Sequence, residues 1–309
     1  MITSNFAEEL GITPKKDKLT PQQIATVKGY GCLRDKRFDD VFNVRVITRN
    51  GKITTDEQRA IADAADRFGS SEVAMTTRMT VEIQGVPYGN IAPLIIFLRE
   101  HGLDTGGTGP KVRPVVACKG TTCVFGLIDT NGLSLKIHER FYEGYHNTTL
   151  PHKLKIGVGG CPNNCVKPDL NDIGVVGQRI LKIDKDKCRS CKSCVIETTC
   201  PMKAAHLKDG VVDVDGSVCN NCGRCYKKCP FGVFDVSETA YKLCIGGRWG
   251  KKCAIGRPVS MLLTSEEQVL DAIERAIILF RDEGIKGERF ADTIERLGFE
   301  YVEKKILGI

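Results

Sequence analysis

The chain has 309 residues, 41 % of them hydrophobic and 27 % charged, with a formal net charge of +7 and fifteen cysteines. That balance describes a globular protein long enough for two compact units and excludes a disordered or collagen-like chain. No run of eighteen apolar residues is present and the opening MITSNFAEELG lacks a charged-then-apolar leader, so no membrane span is expected and the expected compartment is the cytoplasm.

Residues 1–27 read as a polar N-terminal extension. Alternation over 42–48 predicts a half-buried strand. A Thr55-x-x-Gln58 capping box opens a helix that Gly69 closes, with Ala60, Ile61, Ala64, Ala65 and Phe68 on one apolar face. A strand over 73–84 and a helix over 90–101, ended by Gly102, follow. Strand and helix alternate here, which makes residues 28–110 a small α/β unit with its helices on one face of a sheet. After a glycine-rich connection at 105–110, residues 112–123 read as a strand running into a metal loop. Residues 186–235 are dense in cysteine and lysine and read as an inserted module, flanked by a domain made of 111–185 and 236–309. Ser265 and Gln268 box the start of a helix that runs to Gly284 and buries Val269, Ile273, Ile277 and Phe280. A shorter helix carrying Phe290, Ile294 and Leu297 closes the domain.

Twelve of the fifteen cysteines fall in tight clusters, a spacing that points to metal ligation rather than disulfides. Cys188-x2-Cys191-x2-Cys194-x5-Cys200-Pro201 is followed by Cys219-x2-Cys222-x2-Cys225-x3-Cys229-Pro230. Two C-x2-C-x2-C runs, each ending in C-P, form the bacterial two-cluster ferredoxin signature, in which the fourth ligand comes from the other half. One [4Fe–4S] cluster is then expected on Cys188, Cys191, Cys194 and Cys229, the other on Cys219, Cys222, Cys225 and Cys200. Structural zinc, the alternative, usually takes two separated ligand pairs. Two such clusters pass electrons one at a time and need an acceptor.

The second constellation is Cys118-x4-Cys123 with Cys161-x3-Cys165, set in VVAC and GGCPNNC. These motifs, with GCPNNCVKPDLNDIGVVG leading directly into the ferredoxin-like run, resemble the siroheme-containing sulfite and nitrite reductases from about Gly29 onward. Within that family the pattern is most similar to the anaerobic and the dissimilatory sulfite reductases. The first cysteine pair departs from the family's usual C-x5-C by one residue. The resemblance implies an α+β fold: a single copy of the sulfite reductase half, comprising a ferredoxin-like α/β unit and a siroheme/[4Fe–4S] domain, with an inserted two-cluster ferredoxin. It further implies a siroheme and a third [4Fe–4S] cluster on Cys118, Cys123, Cys161 and Cys165, with Cys165 bridging the cluster to the siroheme iron.

Siroheme is a polyanion, and burying one requires paired cations. By the same resemblance these are Arg78 in TTRM, where the family has TTRQ, and Arg248, Lys251 and Lys252 in GGRWGKK; the plainer reading of each is a surface charge. The resemblance implies Arg45, Arg113, Lys153 and Lys155 as the cations that hold a small oxyanion, and alternation on a strand sets Lys153 and Lys155 on one face. His152 replaces a family arginine. The expected function is six-electron reduction of sulfite to sulfide, favoured over nitrite reduction to ammonia by the Lys-x-Lys pair. A non-catalytic iron–sulfur carrier is the rival from another class. No G-x-G-x-x-G opens a helix after a strand, so electrons are expected from a flavoprotein partner or a ferredoxin. A homodimer or similar homo-oligomer is expected because larger family members hold two copies of this half. No nucleic-acid-binding motif accompanies the basic charge. Cys32, Cys244 and Cys253 read as buried free thiols.

Overall fold

The computed structural model describes Phe6 and residues 18–309, which fold as two compact units. The first comprises the residues up to Val116 together with Ser134–Ile156 and Ile277–Arg296; the second comprises Ala117–Leu133, Gly157–Ala276 and Leu297–Ile309.

The first unit begins with helix α1 (Pro21–Gly29), so the described part of the expected polar extension is an ordered helix that buries Val27; the rest of that extension lies outside the described residues. A four-stranded antiparallel sheet follows in the order β1 (Cys32–Arg34), β2 (Val41–Val46), β4 (Val81–Pro87), β3 (Val73–Met75). Along β2 the burial alternates strictly: Phe42, Val44 and Val46 are sealed, while Asn43 and Arg45 lie on the other face. Helices α2 (Thr55–Phe68) and α3 (Ile91–Glu100) bury Ala60, Ile61, Ala64, Leu94, Ile95 and Leu98 in the same core as Phe42, Ile83 and Val86.

Two boundaries differ from the sequence expectation. The α2 capping box is Thr54 with Glu57, not Thr55 with Gln58: the Glu57 amide donates to Thr54 Oγ1 at 3.1 Å and the Thr54 amide donates to Glu57 Oε2 at 2.7 Å. Thr54 is the last residue with extended backbone, and the N-cap must sit there. The single strand expected over 73–84 is a hairpin. Its turn closes through the Thr76 amide on the Thr80 carbonyl (2.9 Å) and a 2.7 Å hydroxyl pair, with Met79 at φ +57°.

The second unit is built on a five-stranded sheet of order β11-β10-β7-β6-β5. Its strands are β5 (Val116–Ala117), β6 (Ile156–Gly159), β7 (Ile173–Lys182), then, after the β8 (Ala205–Lys208)/β9 (Val211–Val214) hairpin, β10 (Val236–Ile245) and β11 (Arg257–Pro258). β7 and β10 pair antiparallel from Ile173↔Ile245 to Lys182↔Val236. All of residues 183–235 therefore leave and rejoin at one end of a two-stranded ribbon. This segment has its own small core of Ile196, Ala205, Val212, Val233 and Phe234, against which Cys188, Cys194, Cys200, Cys225 and Cys229 pack. The C-terminus holds two helices, Phe290–Leu297 and Phe299–Leu307, where one was expected; Gly298 at φ +90° separates them. Among the described residues no helix is long and apolar enough to cross a membrane.

Thr54→Ala is expected to cost about 1 kcal/mol in denaturant unfolding, whereas Thr55→Ala should stay within about 0.5 kcal/mol.

Candidate metal centres and anion site

The second unit sorts its cysteines into three sets. A cavity of about 360 Å³ is lined by Cys188, Cys191, Cys194 and Cys229. Another, of about 220 Å³, is lined by Cys200, Cys219, Cys222 and Cys225. These are the two groups of four that the sequence spacing spells out. Burial pushes the Cys225 thiol up to about 11, reinforced by the charges of Cys222, Cys219 and Cys200. Cys188 is held below its usual value by hydrogen bonds from the amides of Val212 and Ser190, and the Ala204 amide donates to Cys200 Sγ at 3.3 Å. Amides aimed at sulfur favour thiolate, the form that ligates iron.

The third set joins Cys118 and Cys123 to Cys161 and Cys165. Burial raises the Cys161 thiol, and the charges of Cys118, Cys165 and Cys123 raise it further against a backbone hydrogen bond at Asn163. Cys161 is thus close enough to the other three thiols to feel each of them. Their two loops meet glycine to glycine: a Cβ on Gly160 would fall 2.8 Å from Gly120 Cα and 3.4 Å from Cys118 Sγ. With no side chain in the way, the Gly160 amide donates to Cys118 Sγ at 3.1 Å. Cys165 is exposed and its three companions half-buried. A further cavity of about 180 Å³ is lined by both Cys161 and Cys222, with Arg224 4.7 Å from the Phe125 ring beside it.

In the GGRWGKK loop, Arg248 is buried and its backbone pairs with Ala254 in both directions at 2.9 Å. Lys251 and Lys252 are exposed at the tip beside Trp249, itself 65 % exposed. Of the remaining thiols, Cys32 is buried and pushed up to about 12, and Cys244 is buried. Cys253 differs from expectation: it is exposed in this same loop, with Sγ 3.6 Å from the Gly250 carbonyl.

In the first unit the anion-site arginines converge on one peptide. Arg45 faces Glu82 across β2 and β4 and donates to its Oε1 from Nη2 (2.5 Å) and Nε (3.1 Å). Its Nη1 reaches the Gly107 carbonyl at 3.3 Å, and Arg113 Nη1 donates to the same oxygen. Arg113 Nε is buried without a hydrogen-bond partner. Burial, then the charge of Arg45, pull the Arg113 guanidinium down to about 10, which leaves it charged at neutral pH. The Gly107 amide in turn donates to the Tyr142 hydroxyl at 3.0 Å.

Arg113 and Lys153 line an open cavity of about 730 Å³ together with Lys28, His152, Arg281 and Lys286, and among the described residues no carboxylate stands in its wall. Lys155 is not part of that wall. The expected strand through both lysines starts only at Ile156; buried Leu154 makes a single bridge to Val112, so the shared face rests on one residue. His152 takes the Lys153 amide on Nδ1 at 2.7 Å, and its pKa is lowered by burial and then by Arg289, Lys153 and Arg113, so it serves the backbone as a neutral ring. Arg78 donates from Nη2 to the carbonyls of Pro114 and Ile156 (3.2 Å for the latter), fastening the backbone on either side of the anion-site residues. Sequence reasoning missed Glu82 and Tyr142. Only the strand register puts Glu82 opposite Arg45, and nothing local marks Tyr142.

Comparison with known proteins agrees with this chemistry. The family model for the nitrite and sulphite reductase 4Fe-4S domain matches residues 108–308, and that for the nitrite/sulfite reductase ferredoxin-like half domain matches 34–101. The chain belongs to the nitrite and sulphite reductase family, a family of oxidoreductases. It is 32 % identical over 268 residues to the coenzyme F420-dependent sulfite reductase of Methanocaldococcus jannaschii, covering 85 % of this chain but 42 % of that one. It is 27 % identical to the dissimilatory-type sulfite reductase subunit alpha of Allochromatium vinosum, covering 88 % of this chain and 73 % of that one. The fold is that of dissimilatory sulfite reductase I, with a TM-score of 0.70 at 20 % identity over 87 % of this chain and 69 % of that one.

The glycine contact yields a direct test. Gly160→Ala is expected to destabilise by about 1–3 kcal/mol through overpacking against Gly120. Gly216→Ala, with nothing within 4 Å of its Cβ, should stay within about 0.5 kcal/mol in the same thermal melts.

Proposed function

We propose that the chain carries a siroheme coupled to a [4Fe–4S] cluster and reduces sulfite to sulfide. The observation that carries this reading is the grouping of twelve cysteines by fours in a chain that also holds a cavity lined by Lys28, Arg113, Lys153, Arg281 and Lys286. The thiols suit iron–sulfur clusters: all but the exposed Cys165 are half-buried, Cys118 and Cys200 receive amide hydrogen bonds, and two of the groups surround cavities rather than a point. When bound, the siroheme and its cluster supply an iron that binds the sulfur of sulfite and a store of single electrons beside it.

The chain's own residues do the rest. Arg113 and Lys153 hold the oxyanion and stabilise negative charge as S–O bonds break, and Arg45 keeps the Gly107 peptide in place between the two guanidiniums. Lys155 completes the set from the other side of Leu154. Arg248, Lys251 and Lys252 would hold the carboxylates of the tetrapyrrole, and Cys165, with Cys118, Cys123 and Cys161, would hold the cluster beside it. In this reading electrons reach the Cys161 site through segment 183–235, and a cavity lined by both Cys161 and Cys222 supports it. The electron donor in this reading is a flavoprotein or a ferredoxin, and the chain acts as a homo-oligomer.

Nitrite is a second oxyanion that the same cavity admits, and the matched family includes its reductases. Anaerobic turnover with a reduced dye separates the two: sulfide from sulfite at higher kcat/KM is expected, and ammonia from nitrite as the better reaction reverses the order. Lys153→Ala/Lys155→Ala should lower kcat/KM on the order of a hundredfold with cluster and tetrapyrrole content unchanged. A carrier would transfer electrons from donor to dye as before.

A further inference from the structure

Behind the arginine pair, still within the first unit, lies a second cavity of about 310 Å³ lined by Arg49, Asp104, Thr105, His138, Tyr142, Glu143 and His146, among others. Two buried polar atoms of its wall, His138 Nδ1 and Thr105 Oγ1, have no hydrogen-bond partner. Buried polar atoms are paired with protein or ordered water in nearly all folded proteins. A polar cavity of this size holds several waters, and two orphaned atoms lining one space supply the partners such waters need.

The cavity also has direction. His138–Glu143 is a π-helical turn, a distortion frequent at functional sites. It turns His138 inward, with 2 % of its side chain exposed, while Glu143, which binds His138 Nε2 at 3.0 Å, is 61 % exposed. At the inner end the Tyr142 ring stacks on His138 at 4.9 Å between centroids, and the Tyr142 hydroxyl accepts from the Gly107 amide. Gly107 is the residue whose carbonyl takes both Arg45 and Arg113. Solvent, carboxylate, imidazole, water-sized space, phenol and anion-site guanidinium therefore follow one another in one unit.

We infer that this cavity holds ordered water that carries protons from the Glu143–His138 pair to the Tyr142 hydroxyl beside Arg113, making His138 and Tyr142 the proton-supplying residues of the anion site. This rests on the reductase reading above. Each S–O bond cleaved takes two electrons, from the reduced iron–sulfur donor, and two protons, and its oxygen leaves as water. Nε2 takes up a proton through Glu143 as Nδ1 releases one to the cavity, which leaves the ring in its other tautomer, and a flip of the imidazole resets it before the next transfer. The groups facing His138 are Glu143 and Glu139, which favour its protonation, and Arg49, which opposes it as burial does. Asp104, His146 and the Tyr142 phenol line the remaining wall.

The test uses the cofactor-loaded full chain and its His138→Gln, His138→Ala and Tyr142→Phe variants. Glutamine keeps a hydrogen bond to Glu143 but does not shuttle a proton. With sulfite, kcat is expected to fall tenfold or more, on the order of a general acid's usual contribution, with KM within about twofold, a larger solvent deuterium isotope effect and a changed pH profile. Added imidazoles should restore His138→Ala in proportion to their basicity, a gradient that a packing role does not produce. Should the variants fail to fold, a high-resolution crystal structure of the unaltered protein decides: waters bound to His138 Nδ1 and Thr105 Oγ1 are expected, and a dry cavity overturns the inference. Unchanged kcat and isotope effect in folded, fully loaded variants overturn the inference alone. A wild-type chain that reduces neither sulfite nor nitrite overturns the reductase reading and the proton route with it.

Discussion

Concentrated like charge is the constraint on which this protein depends. Three groups of four thiols lie in the second unit; two share a cavity wall each, and in the third the charges of Cys118, Cys165 and Cys123 act on Cys161. The first unit gathers Arg113, Lys153 and their cationic neighbours around the large cavity, whose described lining holds no carboxylate. Such groupings are costly in a bare fold, and the iron and anions of the proposed function would relieve that cost. The scaffold's task is to hold the groups in place before their partners arrive.

Two devices do this with backbone rather than side chains. Gly120 and Gly160 let two cysteine loops touch, so that an amide caps Cys118 directly. The Gly107 peptide does the same for the cations, accepting two guanidiniums on its carbonyl while its amide is anchored on Tyr142. Glu82, facing Arg45 across the sheet, absorbs part of the charge and fixes the guanidinium plane. The ten-residue pairing of β7 with β10 then sets the cysteine-rich segment at one end of a stiff ribbon, where the Cys222 loop and Cys161 line a common cavity.

Much of this was legible in sequence because the signals are local. Cysteine spacing alone divided the eight cysteines of segment 183–235 into the sets that line the two cavities. Alternation marked β2, and an apolar face marked α2. Signals that depend on non-local contact failed. The α2 cap slipped by one residue because Thr54/Glu57 and Thr55/Gln58 both spell a box, and only the backbone conformation of Thr54 decides between them. Residues 73–84 looked like one strand because the Thr76–Thr80 turn is closed by hydroxyls rather than by glycine or proline. Arg78, expected as a siroheme partner, also donates to the carbonyls of Pro114 and Ile156, contacts that only the tertiary fold reveals. Tyr142 and His138 sit in a π-helical turn that no periodicity announces.

The most direct measurement is the absorption spectrum of anaerobically purified protein, with iron counted and the extracted tetrapyrrole identified by mass. Siroheme bands with about thirteen iron atoms per chain, as three cubanes and one siroheme iron require, are the expected result. Cluster absorbance without a tetrapyrrole, from a host able to make siroheme, contradicts the account and leaves an iron–sulfur electron carrier.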